Sequence, residues 1–341
     1  MSLARIKIMN KLQHYQALLR GEINSERVFF RPILMHFAAR YNSTTYGMFA
    51  SDYKTLVESN IRAMEYFDTD MVSLISDPYR ETAAFGAPIE FIDEGVPRCL
   101  KLIVKTLEDV KNLRIPDVYN SERTLDRIKG AEYFQKLLRG TVPVSGWVEG
   151  PLAEACDLAG VNEMLINLMT DPNLSNLLMD KCMVIAKNFA KAQIEAGCDL
   201  IGIGDAICSQ IDRGSYDTYV KQKHTELIEY IHGCGASVKL HICGDTTHLL
   251  ESLRDLNADI IDLDWQVDLD KAKDILGINV VTGGNINPVL VQDKSEEEVY
   301  NLSKNLVDKY KNHKYLLAAG CEITVLTPHQ NLMAMRRASI L

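Results

Sequence analysis

Short apolar runs alternate with amphipathic stretches along most of this chain. The apolar runs, read as strands, fall at 31–37, 71–77, 142–148, 200–204, 238–242, 260–263, 280–283 and 315–318. Stretches with helical spacing lie between nearly all of them. They cover 51–67, 121–139, 153–197 (broken at Asp171-Pro172), 216–234, 246–257, 268–276 and 295–312, with a last helix near 329–338. A further helix is expected over 3–20, closed by Gly21, where glycine is the usual C-terminal punctuation. Residues 80–120 break the rhythm. Pro88, Pro97 and Pro116 interrupt short apolar pieces at 89–92 and 99–104, which predicts an inserted hairpin.

Repeated strand–helix units imply a parallel sheet buried on both faces. Eight such strands make a closed (β/α)8 TIM barrel the leading architecture, as one domain over 1–341 with residues 1–27 an N-terminal helical extension. A doubly wound open sheet is the alternative. Gly202-Ile203-Gly204 lacks the third glycine of a dinucleotide fingerprint, so a Rossmann site carries little weight. No solenoid repeat or low-complexity tract is present.

Composition narrows the function. Of 341 residues, 47% are hydrophobic and 24% charged, ordinary for a globular protein. The net charge of −9, without a long basic run, argues against nucleic-acid binding. No uncharged apolar stretch approaches a membrane span, and no secretory signal is recognisable. Eight scattered cysteines in such a chain fit a reducing cytoplasm, where thiols are core fillers, ligands or nucleophiles. Cys156, Cys182 and Cys198 sit in helical patterns and are read as buried core.

The strand ends carry chemistry. Read from each strand into its following loop, they offer His36 and Arg40, Asp77, Glu149, Asp205, His241 with Cys243 and Asp245, Asp264, Asn285, and Cys321 with Glu322. Barrel sites lie at the carboxyl ends of the strands, so these groups converge on one mouth. Each carboxylate taken alone is as well explained by helix capping or turn duty. His241 and Cys243, two apart, share one face of a continuing strand. A lone His-x-Cys is weak, but Cys321 ends the eighth strand after Ala319-Gly320. One imidazole and two thiolates suit zinc, and three protein ligands leave a position for a substrate. A structural zinc site would want a fourth Cys or His. Asp264 is a candidate exchangeable fourth ligand, or a loop carboxylate satisfied by backbone N–H groups.

These residues resemble the uroporphyrinogen decarboxylase superfamily, and within it the zinc-dependent corrinoid methyltransferases of the methylcobamide:coenzyme M type. The resemblance runs from about residue 28 to 338. It is carried by Arg31-Pro32 through Arg40-Tyr41, Ile75-Ser76-Asp77, Val148-Glu149-Gly150-Pro151, His241-Ile242-Cys243-Gly244, Asp264-Trp265, Gly284-Asn285, and Gly320-Cys321 through Asn331. It implies a (β/α)8 barrel, a catalytic zinc on His241, Cys243 and Cys321, and methyl transfer between a corrinoid and a thiol. It leaves His36, Arg40, Asp77, Glu149, Asp205 and Asn285 as residues of the mouth near substrate or corrinoid. The chain departs from the decarboxylase branch at His36, where those enzymes carry an arginine, and at Gly320-Cys321-Glu322, where they keep Gly-His-Gly.

On this reading zinc makes a thiolate of the substrate thiol, and the thiolate takes a methyl group from methylcobalamin or a corrinoid protein. Coenzyme M, another thiol and a folate all remain open as acceptors. The competing readings are a metal-free decarboxylase-like lyase and a non-catalytic corrinoid or tetrapyrrole carrier with structural zinc.

Overall fold

A computed structural model describes residues 9–24 and 26–341. Ten strands are seen among these residues: β1 Phe29–Phe30, β2 Val72–Ser73, β3 Ile89–Ile92, β4 Gly95–Cys99, β5 Val144–Glu149, β6 Leu200–Gly204, β7 Ser237–His241, β8 Ile260–Asp262, β9 Val281–Ile286 and β10 Tyr315–Ala319. Eight form one all-parallel sheet in the order β1-β10-β9-β8-β7-β6-β5-β2. The two ends of that order meet where the Asp70 N–H donates to the Phe30 carbonyl at 2.8 Å. The fold is a (β/α)8 barrel, and β3 and β4 are the expected inserted hairpin, antiparallel and outside the barrel sheet.

The alternation of side chains across each strand divides the core in two. Val238 and Leu240 of β7, Ile261 of β8 and Leu317 of β10 pack outward against the helices. Leu200, Ile260, Val281 and Leu316 face inward at the amino-terminal ends of their strands. Tyr15 and Leu18 of the Lys11–Arg20 helix pack onto that inner layer, and the Tyr15 hydroxyl meets Ser237 Oγ at 2.5 Å. This helix is the expected N-terminal extension, and it closes the barrel floor. Asn10 and Gln13 form its capping box, and Gly21 ends it at φ 78°; the part expected at 3–8 lies outside the described residues.

Two strands differ from expectation. The run 31–37 is not a strand: β1 lies just before it, and His36–Tyr41 is helical. Pro32 has no N–H to give a ladder, so regular pairing stops after Arg31 donates to Leu317 O. Likewise only Val72–Ser73 of the run 71–77 is paired as strand. The expected helix at 153–197 is three helices, with an additional break at Gly160, and Cys198 lies just beyond the last of them, though buried as expected. No helix among the described residues is long and apolar enough to cross a membrane.

Candidate metal centre

The inner face of the barrel changes from apolar to charged as it rises from the floor. Lys239 stands one inward position above Ser237 on β7, and His241 one position above Lys239. On the neighbouring strand, Asp262 is in register with His241. Its carboxylate meets Arg31 Nη2 at 2.5 Å, Lys239 Nζ at 3.1 Å and His241 Nδ1 at 3.2 Å. Burial opposes ionisation of Asp262, but Arg31, Lys239 and His241 together hold it well below the usual carboxylate range. With the Nδ1 proton donated to Asp262, His241 presents Nε2 to the mouth, the arrangement common behind metal-bound histidines.

Nε2 faces two thiols. It lies 3.0 Å from Cys243 Sγ and 3.9 Å from Cys321 Sγ, and the two sulfurs are 3.5 Å apart. A tetrahedral zinc with Zn–S of ~2.3 Å and Zn–N of ~2.0 Å sets neighbouring donor atoms roughly 3.5 to 3.8 Å apart. The three donors therefore fit one such ion with little movement, and their soft sulfur and imidazole chemistry matches it. The hydrogen bond between the two thiols pulls Cys321 down, against burial and helped by His241, and pushes Cys243 up, with burial adding to that rise. Burial disfavours the His241 cation, yet Asp262 and Cys321 raise it to about 9.

Close packing holds the two cysteine loops together. The Gly244 N–H donates to Asp264 Oδ2 and the Trp265 N–H to Oδ1, both at 2.7 Å. A Cβ at Gly320 would fall 2.5 Å from Asp264 Oδ1, so only glycine brings the end of β10 this near the loop after β8. Trp147 walls the site from β5. Its ring lies over Gly204, where a Cβ would come within 2.5 Å, and its Nε1 donates to Glu149 Oε1 at 3.0 Å.

A cavity of about 160 Å³ opens onto these groups, and His241, Cys243, Cys321, Asp77, Glu149 and Glu322 line it. Asp77 accepts from Arg123 Nη2 at 2.5 Å and from Ser76 at 2.6 Å. Burial opposes its charge, but Arg123 and Arg80 bring it down to about 2. Arg80 also donates to Glu149 Oε1 at 2.7 Å. Burial nonetheless raises Glu149 well above its ordinary value, with Glu81 and Asp157 adding to the rise.

The other residues expected in the mouth are elsewhere. Arg40 is exposed and does not line the cavity. His36 stacks on Tyr46, and it is its backbone N–H that reaches the site, donating to Glu322 Oε1 at 2.8 Å. Asn285 donates to Val267 O at 2.7 Å and bridges two loops. Asp205 is fully buried and turned away. It accepts from Ala153 N at 2.8 Å and Leu152 N at 3.3 Å, capping the Pro151–Ala159 helix, and from His224 Nε2 at 2.9 Å. With Cys208 it forms a second His/Cys/Asp group. Tyr216 takes the other nitrogen of His224 at 2.9 Å, so this network is closed by its own hydrogen bonds. Asp264 has both oxygens on backbone N–H groups and is not one of the three donors gathered at His241. Asp262, Lys239 and Arg31 had no role in the expected site. Their signal was available, since a charge at an inward position of a buried strand must find a partner.

The chain matches the family model described as Uroporphyrinogen decarboxylase (URO-D) over residues 17–339. The uroporphyrinogen decarboxylase of Geobacter sulfurreducens is 27% identical over 288 residues, 82% of each chain. A methylcobamide:CoM methyltransferase of Methanosarcina acetivorans is 28% identical over 259 residues, 75% of each chain. Among solved structures, a methyltransferase from Methanosarcina mazei superposes with a TM-score of 0.89 at 18% identity, covering 97% of this chain and 98% of that one. At that identity the match speaks for the fold.

Proposed function

The chain belongs to the uroporphyrinogen decarboxylase family, and within it we propose a zinc-dependent methyltransferase that moves a methyl group from a methylated corrinoid, free or protein-held, to a small thiol. The observation that carries this reading is the set His241, Cys243 and Cys321, spaced for one tetrahedral ion and open to a cavity on the fourth side. The methyltransferase relatives support it.

Asp262 fixes the tautomer and direction of His241. Asp264 and Gly320 hold the two cysteines at one point, and Trp147 shields the site from the side. Zinc bound there would present the substrate thiol as a thiolate, which is the nucleophilic form. In the transfer the thiol proton would pass to solvent, sulfur would bond to the methyl carbon, and the electron pair of the broken cobalt–carbon bond would stay with the corrinoid. The cavity orients the thiol for that approach, and the corrinoid contributes the reactive methyl group.

Two other readings have less support. A porphyrinogen is a polycarboxylate and needs cations around it, but among the described residues no lysine or arginine lines the cavity. A non-catalytic carrier with structural zinc needs a fourth side-chain ligand, and Asp264 is already engaged by backbone N–H groups. The test is zinc content together with methyl transfer from methylcobalamin to a thiol. Wild-type protein is expected to hold about one zinc per chain and to transfer the methyl group. Cys243→Ala and Cys321→Ala should each lose both metal and transfer; full zinc occupancy in both variants would remove the site.

A further inference from the structure

We propose that the barrel encloses a binding site for one small monovalent anion, of the size of chloride, in the seam between β1 and β2 and below the candidate metal centre. The seam follows from the sequence. The Asp70 N–H donates to the Phe30 carbonyl and closes the ring at that level. Just above it Pro32 has no N–H to give a ladder, and among the described residues the pairing of these two strands goes no further. A cavity of about 20 Å³ lies in this gap. Ile33 lines it from one side, Ser73 and Ile75 from the other, and Arg31 and Lys239 from inside the barrel.

The polar groups around it are donors. Arg31 and Lys239 are only 5% and 2% exposed, and they share one carboxylate, Asp262, at 2.5 and 3.1 Å. Neither has a second carboxylate within ion-pair distance among the described residues. The group therefore buries one more positive charge than negative. Arg31 gives Nη2 to Asp262, while its Nε is buried with no partner. Ser73 Oγ accepts from the Ile75 N–H at 3.2 Å, which leaves its own proton to donate. No carboxylate lines the cavity among the described residues.

Guanidinium and ammonium groups donate and never accept. A water molecule would take hydrogen bonds from them but leave the excess charge uncompensated. An anion takes the same hydrogen bonds and offsets that charge, which is costly to bury alone. A single water needs roughly 10–15 Å³, so the cavity has room for one particle of about that size. That admits a halide and excludes a sulfonate, a carboxylate or a phosphate. The site stands whether or not the chain transfers methyl groups.

Two measurements test it. Urea midpoints are compared at equal ionic strength in sodium gluconate, whose anion is too large for the cavity, and in sodium chloride or bromide. One-site binding to the folded chain should lower the unfolding equilibrium constant about tenfold when chloride reaches ten times its Kd, with the rise in midpoint following the saturation of the site. Arg31→Met should abolish that shift. Crystals of the wild-type protein grown in sodium bromide should show an anomalous peak within hydrogen-bond reach of Arg31 Nε, and this decides the matter if Arg31→Met fails to fold. Equal midpoints in the three salts, or a shift that Arg31→Met retains, overturn the inference. So does bromide found only at His241, Cys243 and Cys321, or water alone beside Arg31. A bromide peak without a chloride shift in solution is binding at crystal concentration only and overturns it as well.

Discussion

Asp262 joins three buried groups, Arg31, Lys239 and His241, and through His241 it reaches the candidate metal centre. Replacing it with asparagine leaves two buried cations facing a neutral amide. Breaking a buried pair in this way costs about 3–5 kcal/mol, which a urea titration of Asp262→Asn will read. Losing the acceptor behind a ligating histidine typically weakens metal affinity ~10–100-fold, which competition with a chelator will read. Unchanged zinc affinity would mean that Asp262 serves stability alone. His241, Cys243 and Cys321 were legible in the sequence because imidazole and thiol are distinctive at strand ends and zinc chemistry ties them together. Asp262 was passed over inside the apolar run 260–263, although a charge at an inward position of a buried strand must find a partner. The strand-end carboxylates looked equivalent, yet Asp77 and Glu149 reach the cavity while Asp205 and Asp264 turn to backbone N–H groups. Loop geometry decides between those outcomes, and composition does not carry it.

At the scale of elements, Asp205 fastens the Pro151–Ala159 helix to the end of β6 and pairs with buried His224. Asp205→Ala removes a helix cap and strands the imidazole, for a loss of about 2–4 kcal/mol. Thermal unfolding should show the loss while zinc content stays at the wild-type level; loss of zinc with stability intact would return Asp205 to the mouth. The floor helix gives a pH-dependent counterpart. His14 is buried edge-on to Phe29, and its Nδ1 lacks a partner. Burial, opposed by Asp70 and reinforced by Arg27, lowers it from 6.5 to about 4. Between those values the unfolded chain binds a proton that the folded chain refuses, so stability is fully present above about 6.5 and falls as the pH drops towards 4. Urea midpoints across that window should fall further in wild-type protein than in His14→Leu; equal slopes would contradict the assignment. Element boundaries were well read where strand and helix were both long-range packed, as at Leu200–Gly204 and His329–Ala338. They were misread near Pro32, where a run of apolar residues continues after its hydrogen bonding has stopped.

At the scale of the molecule, eight strand–helix units favoured a barrel, but the alternation alone is shared with open sheets. Pairing of β1 with β10 joins the two ends of the chain's sheet, and the Asp70–Phe30 contact completes the ring. That closure brings the end of β10, with Cys321, to the His-x-Cys turn after β7, and it gives the inner face its order of apolar floor, charged middle and a top of imidazole and thiols. We read barrel and floor helix as one unit, since Tyr15 and Leu18 complete the inner layer. The claim that depends on the whole arrangement is a single zinc on His241, Cys243 and Cys321 with its remaining position free for substrate sulfur. Zinc X-ray absorption on the metal-loaded protein, before and after addition of a small thiol such as 2-mercaptoethanol, reads it directly. The expected result is two sulfur neighbours at ~2.3 Å rising to three when the thiol is added; a sulfur count unchanged by thiol, with four protein ligands throughout, would contradict it.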